Sequence, residues 1–208
     1  MVFPVLLAFV FSEVWSEYNT AASAINEECG NLHGTAILAA ALAPTERDLV
    51  LRDKLAYLSV VVDTEWARME HRQGAPEAAR LFEQMVGSVA KAELAAPQQR
   101  AARGQTLALL ASAHQYRETW LFQMTQAVPP LIWVLLIGLG TVLVGFLLCF
   151  GIDYAWPQVT FTGIFAAPVA FVLVIVHLLD FPFEGALRLS PRDFWATREK
   201  ITLMLGTA

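Results

Sequence analysis

Apolar residues are concentrated in three runs, and the two longest have the length of membrane-spanning helices. Residues 129–151 contain no charged side chain over 23 positions, and residues 159–179 carry one histidine over 21 positions. At about 1.5 Å per residue, an α-helix of either length covers roughly 30 Å, the thickness of the hydrocarbon core of a bilayer. The pattern predicts two transmembrane helices, with the prolines at 129–130 in the first turn of the earlier one.

The third apolar run lies at the start of the chain and is shorter. It extends from Val2 to Val14, where Glu13 and then Glu17 interrupt it. This length covers about 20 Å, two thirds of a membrane. We therefore expect residues 1–17 to be a truncated transmembrane helix whose outer part is absent from this chain. A secretory signal is the alternative, but no basic residue precedes the run.

The polar segment 18–128 has the punctuation of helices and lacks the alternation of strands. We expect one helix to continue from the first apolar run to about Leu42. Pro44, Pro76 and Pro97 then mark three further starts, and Thr45 is a candidate cap for the first of these. The predicted fold class is all-α: a multi-pass transmembrane helical bundle with a cytoplasmic helical extension.

The composition agrees with a membrane protein. Hydrophobic residues make up 56% of the chain and charged residues 16%, whereas soluble domains carry roughly a quarter charged residues. A net charge of −5 argues against a nucleic-acid partner. Two cysteines are too few for a disulfide scaffold or a cysteine-based zinc site. The lipid bilayer is therefore the first expected partner.

Lysine and arginine counts predict the orientation in the membrane. The link 152–158 contains none, whereas residues 18–128 contain ten and the tail 180–208 contains four. By the positive-inside rule both basic segments lie in the cytoplasm, and the two spans between them require that they share one side. We therefore expect a multi-pass protein of the cytoplasmic membrane, with the helical region and the C-terminus inside.

No catalytic, cofactor-binding or metal-binding pattern is present in the sequence. The motifs of phosphate-binding loops, serine hydrolases, zinc proteases and dinucleotide sites are missing, and the four histidines are isolated from one another. We expect neither an enzyme nor a resident cofactor. His177 and Asp180 are one helical turn apart at the end of the last span, where they form either a gating pair or an interfacial cap.

Three stretches together resemble one family. They are Val14-Trp15-Ser16-Glu17-Tyr18-Asn19, the pair Glu65-Trp66 downstream of Tyr57, and Leu179-Asp180-Phe181-Pro182-Phe183-Glu184-Gly185 with a later Ser190-Pro191. In order and spacing they are similar to the bestrophin-like bacterial family DUF4239, and more distantly to the bestrophin anion channels. The motif residues are Trp15, Tyr18, Glu65, Trp66, Asp180, Pro182, Phe183, Gly185 and Pro191.

The resemblance implies a chloride or other anion channel built as a homo-oligomer, a pentamer in bestrophins, in a bacterial inner membrane. In bestrophins the first helix present here lines a narrow apolar neck, which places Val5, Phe9 and Glu13 along the pore. Glu13 is either part of a vestibule or a solvated residue where the helix leaves the bilayer. The competing hypothesis is a non-conducting membrane scaffold whose cytoplasmic helices bind a partner protein.

Overall fold

The computed structural model describes residues 2–92, 96–149 and 155–206, and in these ranges the regular structure is helical, without a strand. The predicted span 129–151 and the link 152–158 extend into residues 150–154, which lie outside the described residues. The helices, in chain order, are α1 Val2–Ala39, α2 Pro44–Val60, a π-helical turn Val61–Glu65, α3 Trp66–Met69, α4 Pro76–Lys91, α5 Pro97–Thr125, α6 Pro130–Cys149, α7 Ala155–Leu179 and α8 Arg192–Gly206.

Proline begins four of these helices, as the sequence predicted for three of them and for the first span. Proline suits a first helical turn because the backbone N–H that it lacks has no partner there in any case. The cap expected from Thr45 is wrong. Ala43 is the N-cap residue of α2, and no side chain caps this end. Pro44 already removes one of the donors that a Thr45 hydroxyl would have served.

The long first helix ends slightly earlier than expected. It stops at Ala39 rather than Leu42, and the next three residues form a tighter turn with bonds between residues three apart. The helix break that precedes the predicted start at Pro76 is present, and Arg72 takes the left-handed conformation there, with φ of 56°. The backbone N–H of Gln73 donates to the carbonyl of Arg68 and closes the end of α3.

The chain divides into two compact units. We call Met1–Asn19 with Gln126–Arg188 the apolar unit, and Thr20–Thr125 with Leu189–Ala208 the polar unit. The apolar unit is built around one face of α1. Its core combines side chains of α1, α6 and α7, namely Phe3, Leu7, Val10, Val14, Leu136, Val176 and Leu179.

The apolar unit contains two helices that are long and apolar enough to cross a membrane. They are Pro130–Cys149 and Trp156–Leu179, with mean hydropathies of 2.7 and 2.5 over their most apolar windows. Only 11% and 6% of those windows are buried. A core helix of a soluble protein buries its apolar residues, whereas these helices leave most of theirs exposed, as lipid-facing helices do.

The polar unit is a set of packed helices. Helix α2 packs against α4 and against α8, and α4 also packs against α5. Helix α4 is strongly amphipathic and buries Ala78, Phe82, Met85 and Val89, which are spaced three or four residues apart. The core of the polar unit also contains several charged side chains.

Candidate functional site

Within the apolar unit, α1 has one packed face and one exposed face. The packed face consists of Phe3, Leu7, Val10 and Val14. On the other side Val5 is 54% exposed and Phe9 is 71% exposed, and Glu13 is also exposed. All three predicted pore residues therefore lie outside the core of their own chain.

The three positions are not equivalent around the helix. Successive residues are rotated by about 100°, so a spacing of four residues drifts by about 40°. Val5 lies opposite the packed face, Phe9 lies next to that position, and Glu13 lies on the flank. Ser12 and Ser16, which the sequence analysis did not select, continue the line that Val5 begins and are exposed. In the sequence, Ser12 follows Val5 by seven residues and Ser16 follows Ser12 by four, and this spacing could have identified them.

At the polar end of this segment, aromatic side chains follow the helix. The ring of Trp15 stacks on Phe11 and on Tyr18, with centroid separations of 6.4 Å and 6.3 Å. The hydroxyl of Tyr18 donates to the carbonyl oxygen of Leu187 over 2.9 Å. The motif residue Tyr18 thus ties α1 to the segment that follows α7.

The motif after the last span forms a turn that returns to the helices. Helix α7 ends at Leu179, and Pro182 and Phe183 are buried just beyond it. Gly185 has φ of 72°, the left-handed conformation that glycine adopts at little cost. A turn is therefore present at Gly185, and Phe183 is buried just before it.

The polar pair predicted at the end of the last span has two different environments. Asp180 is buried, and its Oδ1 accepts a hydrogen bond from the backbone N–H of Val128 over 2.8 Å. His177 is exposed, and its ring meets those of Trp133 and Phe181 edge-on. Asp180 joins the entry of α6 to the end of α7, and a joint gating role for the two residues stays a prediction.

Replacing Gly185 with alanine should weaken this turn. A Cβ atom at Gly185 would lie 3.6 Å from Cδ2 of Leu178, an ordinary contact, so the cost comes from the positive φ and not from a clash. We expect Gly185→Ala to lower the free energy of unfolding by roughly 1 kcal/mol. Gly104→Ala is the matched control, because Gly104 lies inside α5 with open space around it and should gain about 0.5–1 kcal/mol. Denaturant titrations in detergent that gave both variants the same sign would contradict this prediction.

The polar unit contains a buried network of hydrogen-bonded side chains from α1, α2, the π-helical turn and α5. The carboxylate of Glu28 accepts from the Tyr57 hydroxyl, and its Oε2 accepts from Trp120 Nε1 over 2.6 Å. Arg117 donates to the Tyr57 oxygen over 2.8 Å and to Glu65 Oε1 over 2.6 Å. Each of these residues is at most 2% exposed.

This network contains more acidic than basic groups. Arg117 carries one positive charge and pairs directly with Glu65, so Glu28 is a second carboxyl group facing a single cation. Burial raises the pKa of Glu28 to about 7, although Arg117 and the bonds from Tyr57 and Trp120 act in the opposite direction. Burial likewise raises the pKa of Tyr57. Burial in this network therefore favours the protonated form of Glu28.

The π-helical turn contains Glu65 and leads directly into Trp66, the second pair of residues on which the predicted resemblance rests. A π-helical turn holds one more residue than an α-helical turn, which shifts the register of the side chains that follow. Here Glu65 also accepts from the backbone N–H of Ala75 over 2.9 Å. Trp66 donates through Nε1 to the carbonyl of Leu189 over 3.3 Å, and its ring lies 5.8 Å from that of Phe194. The motif pair thus holds the α8 segment, where the Pro191 carbonyl accepts the first helical bond from Trp195.

Three of the buried charged residues, Glu28, Lys54 and Arg117, were not predicted from the sequence. Each occupies a position in an otherwise apolar stripe; Arg117, for example, falls between Ala113 and Trp120 at spacings of four and three. Lys54 is fully buried, and its Nζ has no hydrogen-bond partner. Burial lowers the pKa of Lys54 to about 7. A charged residue at a core position of an amphipathic helix was the available signal.

The chain is similar in sequence and in structure to known proteins of the same architecture. A family model described as a bestrophin-like domain matches residues 1–194. The chain belongs to the bestrophin-like family. Membership identifies this bestrophin-like chain as a membrane protein, in agreement with its two apolar helices. No curated protein matches it.

Two solved structures have the same fold as this bestrophin-like chain. One is a crystal structure of a membrane protein variant, with 12% sequence identity and a TM-score of 0.70. The other is a crystal structure of a bacterial bestrophin homologue from Klebsiella pneumoniae with a single substitution, again with 12% identity and a TM-score of 0.68. In both cases the match covers 99% of this chain and 84% of the other. At this identity the likeness shows the fold, which is all-helical as predicted.

Proposed function

We propose that this chain forms a homo-oligomeric ion channel whose pore is lined by the exposed face of α1. The observation that carries the proposal is the division of α1 in the apolar unit. Phe3, Leu7, Val10 and Val14 pack inside the chain, while Val5 and Phe9 point away from it. Copies arranged in a ring would bring these apolar side chains together around the central axis.

Rings of Val5 and Phe9 would form a hydrophobic constriction. Such a constriction controls permeation by whether water fills it, because an ion cannot enter a dry apolar segment without losing its hydration shell. Weakly hydrated ions lose that shell at the lowest cost. The bestrophin resemblance implies a pentamer and anions, whereas the neck residues carry no charge and set no preference for either sign of ion.

The proposed orientation follows from the basic residues. All fourteen lysines and arginines of the chain lie in residues 18–128 and 180–208. By the positive-inside rule, we assign both segments to the cytoplasmic side of a bacterial inner membrane. The two apolar helices of the apolar unit then cross the bilayer as a hairpin. Ions passing the neck would move between the outside and the cytoplasm.

A neck substitution tests the proposal. We expect Phe9→Ser to raise the ion current through reconstituted oligomers several-fold, because a hydroxyl group at the constriction favours water there. Phe146→Ser is the matched control. Phe146 is 62% exposed on α6, close to the exposure of Phe9, but it lies on a helix that the proposal assigns to lipid. Currents are measured in planar bilayers or as ion flux from liposomes.

Three outcomes would contradict the channel. Well-folded oligomers that carry no current, with either serine variant, would favour the scaffold whose cytoplasmic helices bind a partner protein. Equal effects of Phe9→Ser and Phe146→Ser would show that α1 does not line the pathway. A monomeric particle, or one without a central axis, would rule out the ring.

A further inference from the structure

A small polar pocket lies between α1 and α8 in the polar unit. Its volume is about 150 Å³. The polar side chains that line it are Asn26, Cys29 and His33 of α1 and Asp193, Thr197 and Lys200 of α8. One water molecule takes up roughly 30 Å³ of the liquid. The pocket therefore has room for one small ion and a few water molecules.

Hydrogen-bond donors prevail in the pocket wall. Lys200 carries three N–H donors and no acceptor, and the Asn26 amide contributes two more donors. The Nδ1 atom of His33 is buried, and the described part of the chain gives it no hydrogen-bond partner. Cys29 and Thr197 are hydrogen-bonded to each other. A ligand that matches this wall brings several acceptor oxygens.

Basic side chains from three helices come together around His33. Burial lowers the pKa of His33 from 6.5, and the nearby cations Lys200 and Lys54 lower it further. Lys54 comes from α2 and is fully buried, and among the described residues its Nζ atom has no hydrogen-bond partner. Asp193, at the start of α8, is the acidic side chain among the lining residues. One carboxylate thus accompanies three basic groups, and a bound anion would reduce the repulsion among them.

We propose that this pocket binds a small oxyanion of the sulfate or phosphate type. Such an ion presents acceptor oxygens in several directions, which suits donors that come from both α1 and α8. Lys200 supplies a permanent charge, Asn26 a neutral donor, and His33 a second charge once its imidazole is protonated. Because the pocket is formed only when α1 and α8 are packed together, the bound ion stabilises the folded polar unit.

Calorimetric titration of sodium sulfate into the full chain in detergent, at an ionic strength held constant with sodium chloride, tests the pocket. We expect Lys200→Gln to weaken sulfate binding about fivefold, which is the effect of one charge at close range in water. Asp193→Asn should strengthen binding by a similar factor, because it removes the charge that opposes the anion. Lys200 and Asp193 are exposed, so both variants should fold. Lys91→Gln is the matched control, since Lys91 is an exposed lysine of α4 outside the pocket.

Isotopic labelling of the four histidines gives a second, local measurement by NMR. Because anion binding and protonation of a neighbouring group favour each other, sulfate should raise the pKa of His33 in the folded protein. The resonance of His33 is the one absent from His33→Gln, and the exposed His71 is the control, for which no change is expected. Glu28 and Lys54 also have pKa values of about 7, so the resonance of His33 decides the question and the overall pH dependence of binding does not.

Any of three results overturns the proposal. Sulfate that leaves both the calorimetric trace and the pKa of His33 unchanged does not bind in this pocket. Equal weakening by Lys200→Gln and Lys91→Gln would show that sulfate is an adventitious ion attracted by surface charge alone. Unchanged affinity in Asp193→Asn would place the ion elsewhere on the protein.

The phosphate group of a lipid headgroup has the same chemistry as free phosphate, and a final comparison separates these two sources. The histidine spectrum is recorded with inorganic phosphate in micelles free of phospholipid, and with phosphatidylglycerol in the micelles without added phosphate. A rise in the pKa of His33 with inorganic phosphate identifies a free ion as the ligand. A rise with the phospholipid alone identifies a headgroup, and no rise in either case counts against the site.

Discussion

Replacing Arg117 with alanine is expected to lower the free energy of unfolding of the polar unit by about 3–5 kcal/mol. Arg117 and Glu65 form a salt bridge of 2.6 Å with side chains only 3% and 0% exposed. Removing the arginine leaves the Glu65 carboxylate buried without its cation. The second buried carboxyl group of the network, Glu28, then also lacks a nearby positive charge. Far-UV circular dichroism during thermal unfolding in detergent should show a decrease in Tm of roughly 10 °C.

An exposed ion pair in the same unit is the control. Arg198 approaches Asp63 at 3.4 Å, with side chains 33% and 62% exposed, and such pairs contribute between 0 and about 1 kcal/mol. We expect Arg198→Ala to change Tm by at most a few degrees. If Arg117→Ala were as mild as Arg198→Ala, the buried network would not be a main source of stability in the polar unit.

The second large effect is a dependence of stability on pH that runs through Glu28. The folded protein raises the pKa of this group from 4.5 to about 7, so folding favours the protonated form. The stabilising effect of that proton is complete below pH 4.5, declines as pH rises, and is lost above pH 7. The total loss is on the order of 3 kcal/mol, because each pKa unit corresponds to about 1.4 kcal/mol.

Denaturant titrations from pH 4.5 to pH 7 test this dependence by difference. The groups that surround Glu28 are Arg117, Glu65 and Tyr57. The substitution Glu28→Gln leaves these neighbours unchanged and removes only the titrating carboxyl group. We expect the decline in stability to be reduced by most of its size in Glu28→Gln and to be retained in Glu27→Gln, where the neighbouring glutamate is exposed. An unchanged slope in Glu28→Gln would show that Glu28 is ionised throughout this range.

Lys54 should act with the opposite sign. Its pKa falls from 10.5 to about 7 in the folded protein, so folding favours the neutral amine. Stability due to Lys54 therefore rises as pH increases from 7 to 10.5, and Lys54→Met should remove this rise. The combined contribution of Glu28 and Lys54 to the stability of the polar unit should therefore be smallest near pH 7.

The sequence predicted the elements whose signals are local. Prolines at 44, 76, 97 and 130 begin the expected helices, and two uncharged stretches became the two long apolar helices. Gly185, one of the motif residues after the last span, takes the left-handed conformation that favours glycine. These features depend on the backbone constraints of proline and glycine and on apolar length, which a single sequence states directly.

The buried network could not be predicted in the same way. Its hydrogen-bonded partners are 29 to 92 residues apart in the sequence, and only the packing of four segments brings them together. Glu65 was selected through the family motif and not through its partner. The proposed pore residues show a similar limit. The resemblance and a spacing of four selected Val5, Phe9 and Glu13, but the packed face of α1 was needed to show that Ser12, and not Glu13, lies opposite the core.

The π-helical turn at Val61–Glu65 affects how the sequence of this chain should be aligned with those of related proteins. A turn of this kind arises when one residue is inserted into an α-helix, so a homologue with an uninterrupted helix is one residue shorter there. At 12% identity an alignment has few matches to reveal such an offset. A single gap placed within residues 61–65 of the alignment keeps Trp66 and the residues after it matched to their structural equivalents. Without that gap, every later residue of this chain is aligned one position away from its equivalent.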